Sequence, residues 1–374
     1  MIAKLAIRNL LHDRSRFIVT LIGILFAVVL VSVQLGFYLG ATRMITGMVE
    51  HADADIWISA YGAVSFEQAP IMTGRERYSA LAAPGVEDVA PLVVSFAEWR
   101  KADSSTTNVV VIGAGSEAGS LKPWNVVEGN ASALSPNGVV VDRTYAASLD
   151  VKGTGALGEI NGKRVRVEAM TDGIRSFTTS PYVFTSPNRA RELLSVASDQ
   201  ATFYLVKVKP GSDPVTVKRE LVSRLPGVSI YTKAEFLKRN LDYWLFATGA
   251  GIALLGGAVL GLVIGTVIVA QTLYSSTKDH LTEFATLRAL GSSSFYIHKV
   301  ILAQAAISAI VGYGLGISIS RVVAATSGKT ALPMVLTPEL AGLLFVVTLG
   351  MCILSALSSI VKVTKLDPAM VFAR

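Results

Sequence analysis

A polytopic α-helical membrane protein, with four transmembrane helices and a large α+β domain inserted between the first and second, is the fold class the sequence predicts. Three observations carry it. Of the 374 residues 51% are hydrophobic and only 16% charged, with a mean hydropathy of +0.52, a balance unlike that of a water-soluble globule. Four segments, 17–42, 243–277, 300–320 and 340–361, carry no charge over the roughly 20 residues that a helix needs to cross a hydrocarbon core. Between the first two lies 44–240, where acidic and basic residues balance at 21 each, so the net excess of +7 flanks the apolar segments.

In chain order, residues 1–16 form an amphipathic N-terminus carrying Lys4, Arg8, Arg14 and Arg16. The apolar run 17–42 is too long for a signal peptide and lacks a clean small-x-small cleavage site, so it reads as a retained anchor. Four basic residues precede it, three lie in 278–299 and three follow 361, against two in 321–339. The positive-inside rule therefore predicts both termini in the cytoplasm, with 44–240 and the short 321–339 loop outside. Phe37, Tyr38, Tyr243 and Trp244 then fall at the outer interface, and Tyr274, Phe295 and Tyr296 at the inner one.

The ends of 44–240 read as two copies of one small unit. Strand 55–59, helix 75–83 closed by Pro84-Gly85-Val86 and strand 89–95 form the first. Strand 202–208, helix 214–225 closed by Pro226-Gly227-Val228 and strand 228–231 form the second. Two such halves predict a ferredoxin-like split βαβ unit interrupted by an insertion, about 96–180. That insertion is strand-rich: 98–100 and 108–112 flank a polar turn, 138–141 is β-branched, and Asn161-Gly162 marks a hairpin between 157–160 and 164–170. A mostly-β subdomain is expected there.

The second apolar run has 35 uncharged residues, about 52 Å of helix against a core of roughly 30 Å, which predicts a stalk continuing beyond the bilayer. Gly257, Gly261 and Gly265 lie on one of its faces at a spacing that lets backbones approach closely. Gly36 with Gly40, and Gly312 with Gly316, repeat that spacing. Such motifs serve both packing within a chain and self-association, and both readings stand. None of the four runs holds an ionisable residue of the kind that marks an ion or proton path, which disfavours a secondary transporter or proton pump.

Catalytic chemistry is not legible. Cys352 is the only cysteine, excluding a disulfide framework or a multi-Cys zinc site, and His12, His51, His280 and His298 are scattered near predicted membrane boundaries. Gly328-Lys329-Thr330 ends like a phosphate-binding loop, but Val323 stands where its first glycine is required. Carboxylates such as Asp53, Asp55, Glu87 and Asp88 read as solvated surface. A charge-balanced domain is a poor nucleic-acid reader, so no nucleic acid is expected as a partner.

Between the second and third runs, Leu281, Phe284, Leu287 and Leu290 recur at helical spacing, with Asp279 at the N-terminal end, Arg288 near the other, and Gly291 able to cap it. This is a short amphipathic helix whose polar face is poor in Lys and Arg, better suited to a protein groove than to lying on lipid.

Asp279-His-Leu-Thr-Glu-Phe-Ala-Thr-Leu-Arg-Ala-Leu-Gly291 resembles the E-x-A-x-L-[RK]-A-[LM]-G segment of the MacB/FtsX-like permeases of ABC transporters. Together with Gly265-Thr-Val-Ile-Val269, it is similar to the DevC branch, the permeases of heterocyst-glycolipid-type exporters. The tail 365–370 is similar to the family's D-P-x-x-[AV] ending, and 1–11 to its N-terminal helix.

The resemblance implies a non-catalytic permease subunit of the bacterial inner membrane. Asp279, Leu281, Glu283, Phe284, Leu287, Arg288 and Gly291 would form the helix that couples to a partner ATPase, with Gly257 to Gly265 near a homodimer axis. It implies no cofactor in this chain; ATP and Mg would be bound by an ABC ATPase dimer in trans, since the chain departs from full-length MacB in having no fused ATPase domain. A periplasmic adaptor and a TolC-like outer-membrane duct would complete an exporter of amphipathic cargo. Lipoprotein release and FtsX-like force transmission to cell-wall enzymes are the alternatives the same resemblance allows.

Overall fold

In the computed structural model, which describes residues 2–115, 117–132, 134–279, 286, 293–328 and 330–364, the chain divides into two units. A helical unit comprises 1–39, 252–328 and 333–374, and an α/β domain comprises 40–251 with 329–332.

The helical unit begins with α1 (Ile2–His12), which buries Ala6 and Asn9. Asp13 breaks the chain and caps α2 (Arg14–His51), accepting from the Arg16 amide and the Ser15 hydroxyl. Four described helices are long and apolar enough to cross a membrane, one of them α2. Numbering the helices in chain order across both units, the other three are α8 (Ala250–Asp279), α9 (Ser294–Ser327) and α10 (Pro338–Thr364). Helix α1 packs on α9, and α9 on α10. Two serines of α10 reach α8 carbonyls, Ser355 to Thr266 at 3.0 Å and Ser359 to Ala270 at 3.3 Å. Hydroxyls bonding across helices, and back to their own helix four residues earlier, satisfy polar groups where no water is available.

The 35-residue apolar run is not one helix. A π-helical turn, Asp242–Ala247, ends at Thr248, and Gly249 adopts φ +80°, a left-handed conformation that stops the ladder before α8 starts afresh. The long unbroken rod is α2, at 38 residues. The uncharged run 243–277 is thus interrupted at Gly249: such a run reads as continuous helix, and only the backbone reveals the glycine break.

In the α/β domain, β1 (Ile56–Ala60), α3 (Arg75–Leu81) and β2 (Val86–Arg100) form one half unit. The second is β9 (Phe203–Val208), α6 (Pro214–Arg224) and β10 (Val228–Thr232). The four strands lie in the order β10-β1-β9-β2, each pair antiparallel, which is the ferredoxin-like arrangement.

The insertion is not a separate sheet. It holds β3 (Thr106–Ala114), β4 (Val126–Gly129), β5 (Gly138–Asp142), the short helix α4 (Ala146–Leu149), β6 (Leu157–Ile160) and β7 (Lys163–Thr171), and β8 (Tyr182–Thr185) follows directly after it. These strands extend the same sheet from β2, and β6 pairs with both β7 and β2. The pairings β2-β3-β8-β5-β7-β6-β2 therefore close a ring of six strands that shares β2 with the ferredoxin-like unit. The β6–β7 turn is Asn161-Gly162, both at positive φ, as a two-residue hairpin of matching twist requires.

Inside the ring lie Trp99, Val109, Val111, Val139, Val165 and Val183. The opposite face of β3, β5 and β8 joins a second core with Trp57, Phe66 and Phe203. With both faces covered, these strands read as unbroken apolar runs instead of alternating ones.

Candidate functional site

The α/β domain has two roots, and the geometry at each defines the candidate site. The first is the end of α2. Met48, Val49, Ala52 and Ala54 enter the core built around Trp57, Phe203 and Phe236. The last carbonyls of α2 would be left open at its end. Lys233, first residue of α7 (Lys233–Leu241), donates its Nζ to the carbonyls of Glu50 at 2.9 Å and Ala52 at 2.8 Å. A cation at a helix C-terminus also complements the dipole. His51 stacks on Trp124 with 3.7 Å between ring centroids.

The second root is α7 with the π-helical turn behind it. Thr232 and Glu235 form a reciprocal capping box at the start of α7. Arg239 donates twice to the Ala63 carbonyl, at 3.0 and 2.7 Å. The Phe66 amide donates to Asn240 Oδ1 at 2.7 Å, and Tyr243 OH to Gln68 at 2.9 Å. The segment after β1 is thus pinned to the helix that leads toward α8.

At the centre lies Glu67, a carboxyl 7% exposed. Tyr182 OH of β8 donates to its Oε1 at 2.5 Å, and Trp244 Nε1 and Ser65 Oγ to its Oε2 at 3.3 and 3.4 Å. One side chain therefore joins the ring, the segment after β1 and the π-helical turn. Burial pushes the Glu67 carboxyl above the usual range, partly offset by the Tyr182, Trp244 and Ser65 donors. Burial, and then the adjacent Glu67, push the Tyr182 phenol well above its ordinary value, so it stays a donor. Periodicity could not single out Glu67, which stands in the irregular Ser65-Phe66-Glu67-Gln68 run. The carboxylates read as solvated surface divide: Asp53 pairs with Lys207 at 2.6 Å and is 68% exposed, whereas Asp55 is one-third exposed and accepts from the Val208 amide. Among the described residues no group of His, Cys, Asp and Glu is placed to hold a metal ion.

In the helical unit, Gly257, Gly261 and Gly265 face α2. A Cβ at Gly257 would stand 2.5 Å from Gln34 Nε2, at Gly261 3.0 Å from Leu30, and at Gly265 would collide with Ala27. A Cβ at Gly23 of α2 would likewise stand 2.5 Å from Ile268 Cγ2. Gly312 and Gly316 of α9 approach another side of α2, at Ile24 and Val28. A Cβ at Gly36 would stand 2.6 Å from Met334 Cγ, and the Val335 amide donates to the Gly36 carbonyl; Gly40 is buried on α2. Gly257, Gly261 and Gly265 thus pack within the chain, against α2, which is one of the two settings their spacing allows. The glycines of both neighbours make α2 the hub of the unit.

Asp279 ends α8 and pairs with Arg16 at 2.5 Å, and Arg16 also meets Asp13 at 3.0 Å. The start of the first membrane helix is so tied to the end of the second. Leu281, Glu283, Phe284, Leu287, Arg288 and Gly291 lie outside the described residues.

The family profile of the MacB-like periplasmic core domain matches residues 17–224, more than half of the chain, and that of the FtsX-like permease C-terminal region matches 255–368. The chain belongs to the MacB/FtsX-like ABC transporter permeases. An uncharacterized ABC transporter permease of Mycobacterium tuberculosis (strain CDC 1551 / Oshkosh) is 24% identical to this permease over 374 residues, covering 98% of each chain. Its counterpart in strain ATCC 25618 / H37Rv matches equally. Among solved structures, the extracellular domain of the noncanonic ABC-type transporter YknZ from Gram-positive bacteria is 13% identical, with a TM-score of 0.36, covering 48% of the permease and 99% of that chain. The periplasmic region of MacB from Actinobacillus actinomycetemcomitans is 11% identical, with a TM-score of 0.36, covering 51% and 94%.

Proposed function

We propose that this permease couples ATP hydrolysis by a separate ABC ATPase dimer to movement of its α/β domain, and so drives export of amphipathic cargo. It does so as a homodimer in a bacterial inner membrane with both termini cytoplasmic, working with a periplasmic adaptor and an outer-membrane duct in a DevC-like arrangement. The observation that carries the reading is the double root. Helix α2 runs without a break from Arg14 to His51, and its last carbonyls are held by Lys233 of the helix that leads toward α8. A displacement of α2 at its packed end is carried along one rod to its capped end. Because the glycine face of α8 is occupied by α2, the second copy meets the exposed branched face of α8, with Val259, Leu260, Val263 and Val267.

Detergent extraction of the tagged permease from its native membrane, with mass spectrometry and ATPase assay of the eluate, tests this. A small ABC ATPase with a periplasmic adaptor is the expected recovery. An ATPase without an adaptor moves the assignment to lipoprotein release or to force transmission, and no ATPase overturns it. Glu283→Lys and Arg288→Glu are expected to uncouple hydrolysis from export while leaving membrane insertion unchanged; full coupling in both removes the coupling role from 279–291.

A further inference from the structure

A groove of about 860 Å³ opens in the α/β domain where the parallel strands β3 and β8 both end, a position at which sheet folds commonly hold ligands. Its size is that of sites that enclose drug-sized molecules. Its apolar lining includes Leu121, Pro123, Val126, Leu134 and Phe184. Its cations are Arg77, from α3, and Arg191, from α5 (Pro187–Leu194), with Lys122 at the loop that follows β3. Both arginines line this one groove.

Backbone and amide oxygens hold the arginines in place: Arg77 Nε donates to the Val89 carbonyl at 2.9 Å, Arg191 Nε to Gln200 at 3.0 Å and its Nη1 to Asn188 at 3.2 Å. Neither arginine is within ion-pair distance of a carboxylate among the described residues, and the same holds for Lys122. Glu117 is the one carboxylate of the lining, so three cations face one anion. Half-buried guanidinium groups fixed by neutral acceptors keep their charge free for an incoming acid, and Arg matches phosphate or carboxylate through two parallel bonds.

We propose that this groove binds an anionic amphipath, its acidic head on Arg77 and Arg191 and its apolar body along Leu121, Val126, Leu134 and Phe184. Binding follows from the groove alone; its role as a cargo or sensing site rests on the export reading above. The chemistry selects against neutral lipids, which leave the arginines without an anionic partner, and against small anions, which leave the apolar lining wet.

The test uses the full chain in phosphatidylcholine nanodiscs and a photoreactive lysophosphatidylglycerol, with labelled peptides mapped by mass spectrometry and empty nanodiscs as the partition control. Saturable labelling within 117–134 and 184–191 is expected. It should be competed by unlabelled lysophosphatidylglycerol, weakly by lysophosphatidylcholine and not by inorganic phosphate. Arg77→Gln with Arg191→Gln should weaken it about tenfold or more. Lys122→Gln, at an exposed position, should weaken it less while leaving the thermal transition unchanged, which keeps the test decisive if the double variant misfolds. Labelling confined to the membrane helices, equal competition by the neutral lysolipid, full competition by phosphate, or labelling indifferent to all three substitutions overturns the proposal. ATPase recovered with the same preparations reports on the permease assignment separately, so failure of one is distinguishable from failure of the other.

Discussion

The two ends of α2 are held by different physics. Over its first 26 residues, from Arg14 to Leu39, it meets α8 and α9 through glycines and short side chains, Gly23 on Ile268, Ala27 on Gly265, Ile24 on Gly312 and Val28 on Gly316. Over its last turns Met48, Val49 and Ala52 enter a core of large aromatic rings, with Trp57 stacked on Phe236 at 4.7 Å between centroids. In lipid the surroundings are as apolar as a leucine side chain, so association gains come from close backbone approach. In water the gain comes from removing large apolar surfaces, and ring–ring contacts add to it. One helix thus reports both solvents along its length, and a substitution should be judged by which solvent its position faces.

The sharpest way to break that contrast is to add bulk on the lipid-type face. Gly265→Leu has no room against Ala27 and Met351, and overpacking of this kind costs about 1–3 kcal/mol. Gly314→Leu, on α9, meets nothing within 4 Å and should not destabilise, since glycine is the poorer helix former. Thermal unfolding of the two variants of the full chain in one detergent gives the comparison. Equal transitions would show that the α2–α8 seam does not depend on the glycines.

The aromatic end is sharpened by Glu67. Its carboxyl binds a proton more tightly in the folded domain than in the unfolded chain, because burial disfavours the charge. The sign follows from linkage: stabilisation is complete below the ordinary value of 4.5 and is lost as pH rises through the higher folded value. Glu67→Gln keeps the neutral shape and should flatten this contribution, so that the difference between wild type and variant changes with pH and favours wild type most on the acidic side. Glu128, Asp213 and Glu235, whose carboxyls are held below their usual range by hydroxyl, amide or lysine partners, act in the opposite direction in both proteins and cancel in the difference. Stability against pH by thermal unfolding decides it; parallel curves would mean that Glu67 is not buried as a neutral acid.

What was legible in the sequence follows the same division. Charge-free runs and hydropathy mark the four membrane-capable helices because lipid tolerates few charges, and the two Pro-Gly-Val stops mark the ferredoxin-like halves because proline and glycine end helices by local sterics. Closure of the ring was not legible: β6 pairs Trp99 with Ile160 across 61 positions, and no local pattern encodes that partner. Nor was the break at Gly249, one glycine among many in an apolar run. The face of Gly257 to Gly265 was visible as a small-residue seam, but spacing alone does not say whether a seam closes on the same chain or on another. Glu67 was hidden for a further reason, since a single acid in an irregular segment is surface in most folds and only tertiary packing buries it.

The smallest expected effect lies at the lipid end, where α2 and α8 meet in charge instead of in glycine. Arg16 and Asp279 are 27% and 56% exposed, and Arg16 has Asp13 as a second partner at 3.0 Å. A half-exposed pair of this kind contributes about 0–1 kcal/mol and weakens with salt. Asp279→Asn should therefore barely move the thermal transition, and less so at high ionic strength. If the pair instead fixes the orientation of the end of α8 for a partner ATPase, the same substitution should lower the stimulated ATPase rate with stability unchanged. Asp13→Asn, which leaves the pair between helices intact, should not. A drop in rate common to both variants would place the effect in the cap of α2 and leave Asp279 without a separate role.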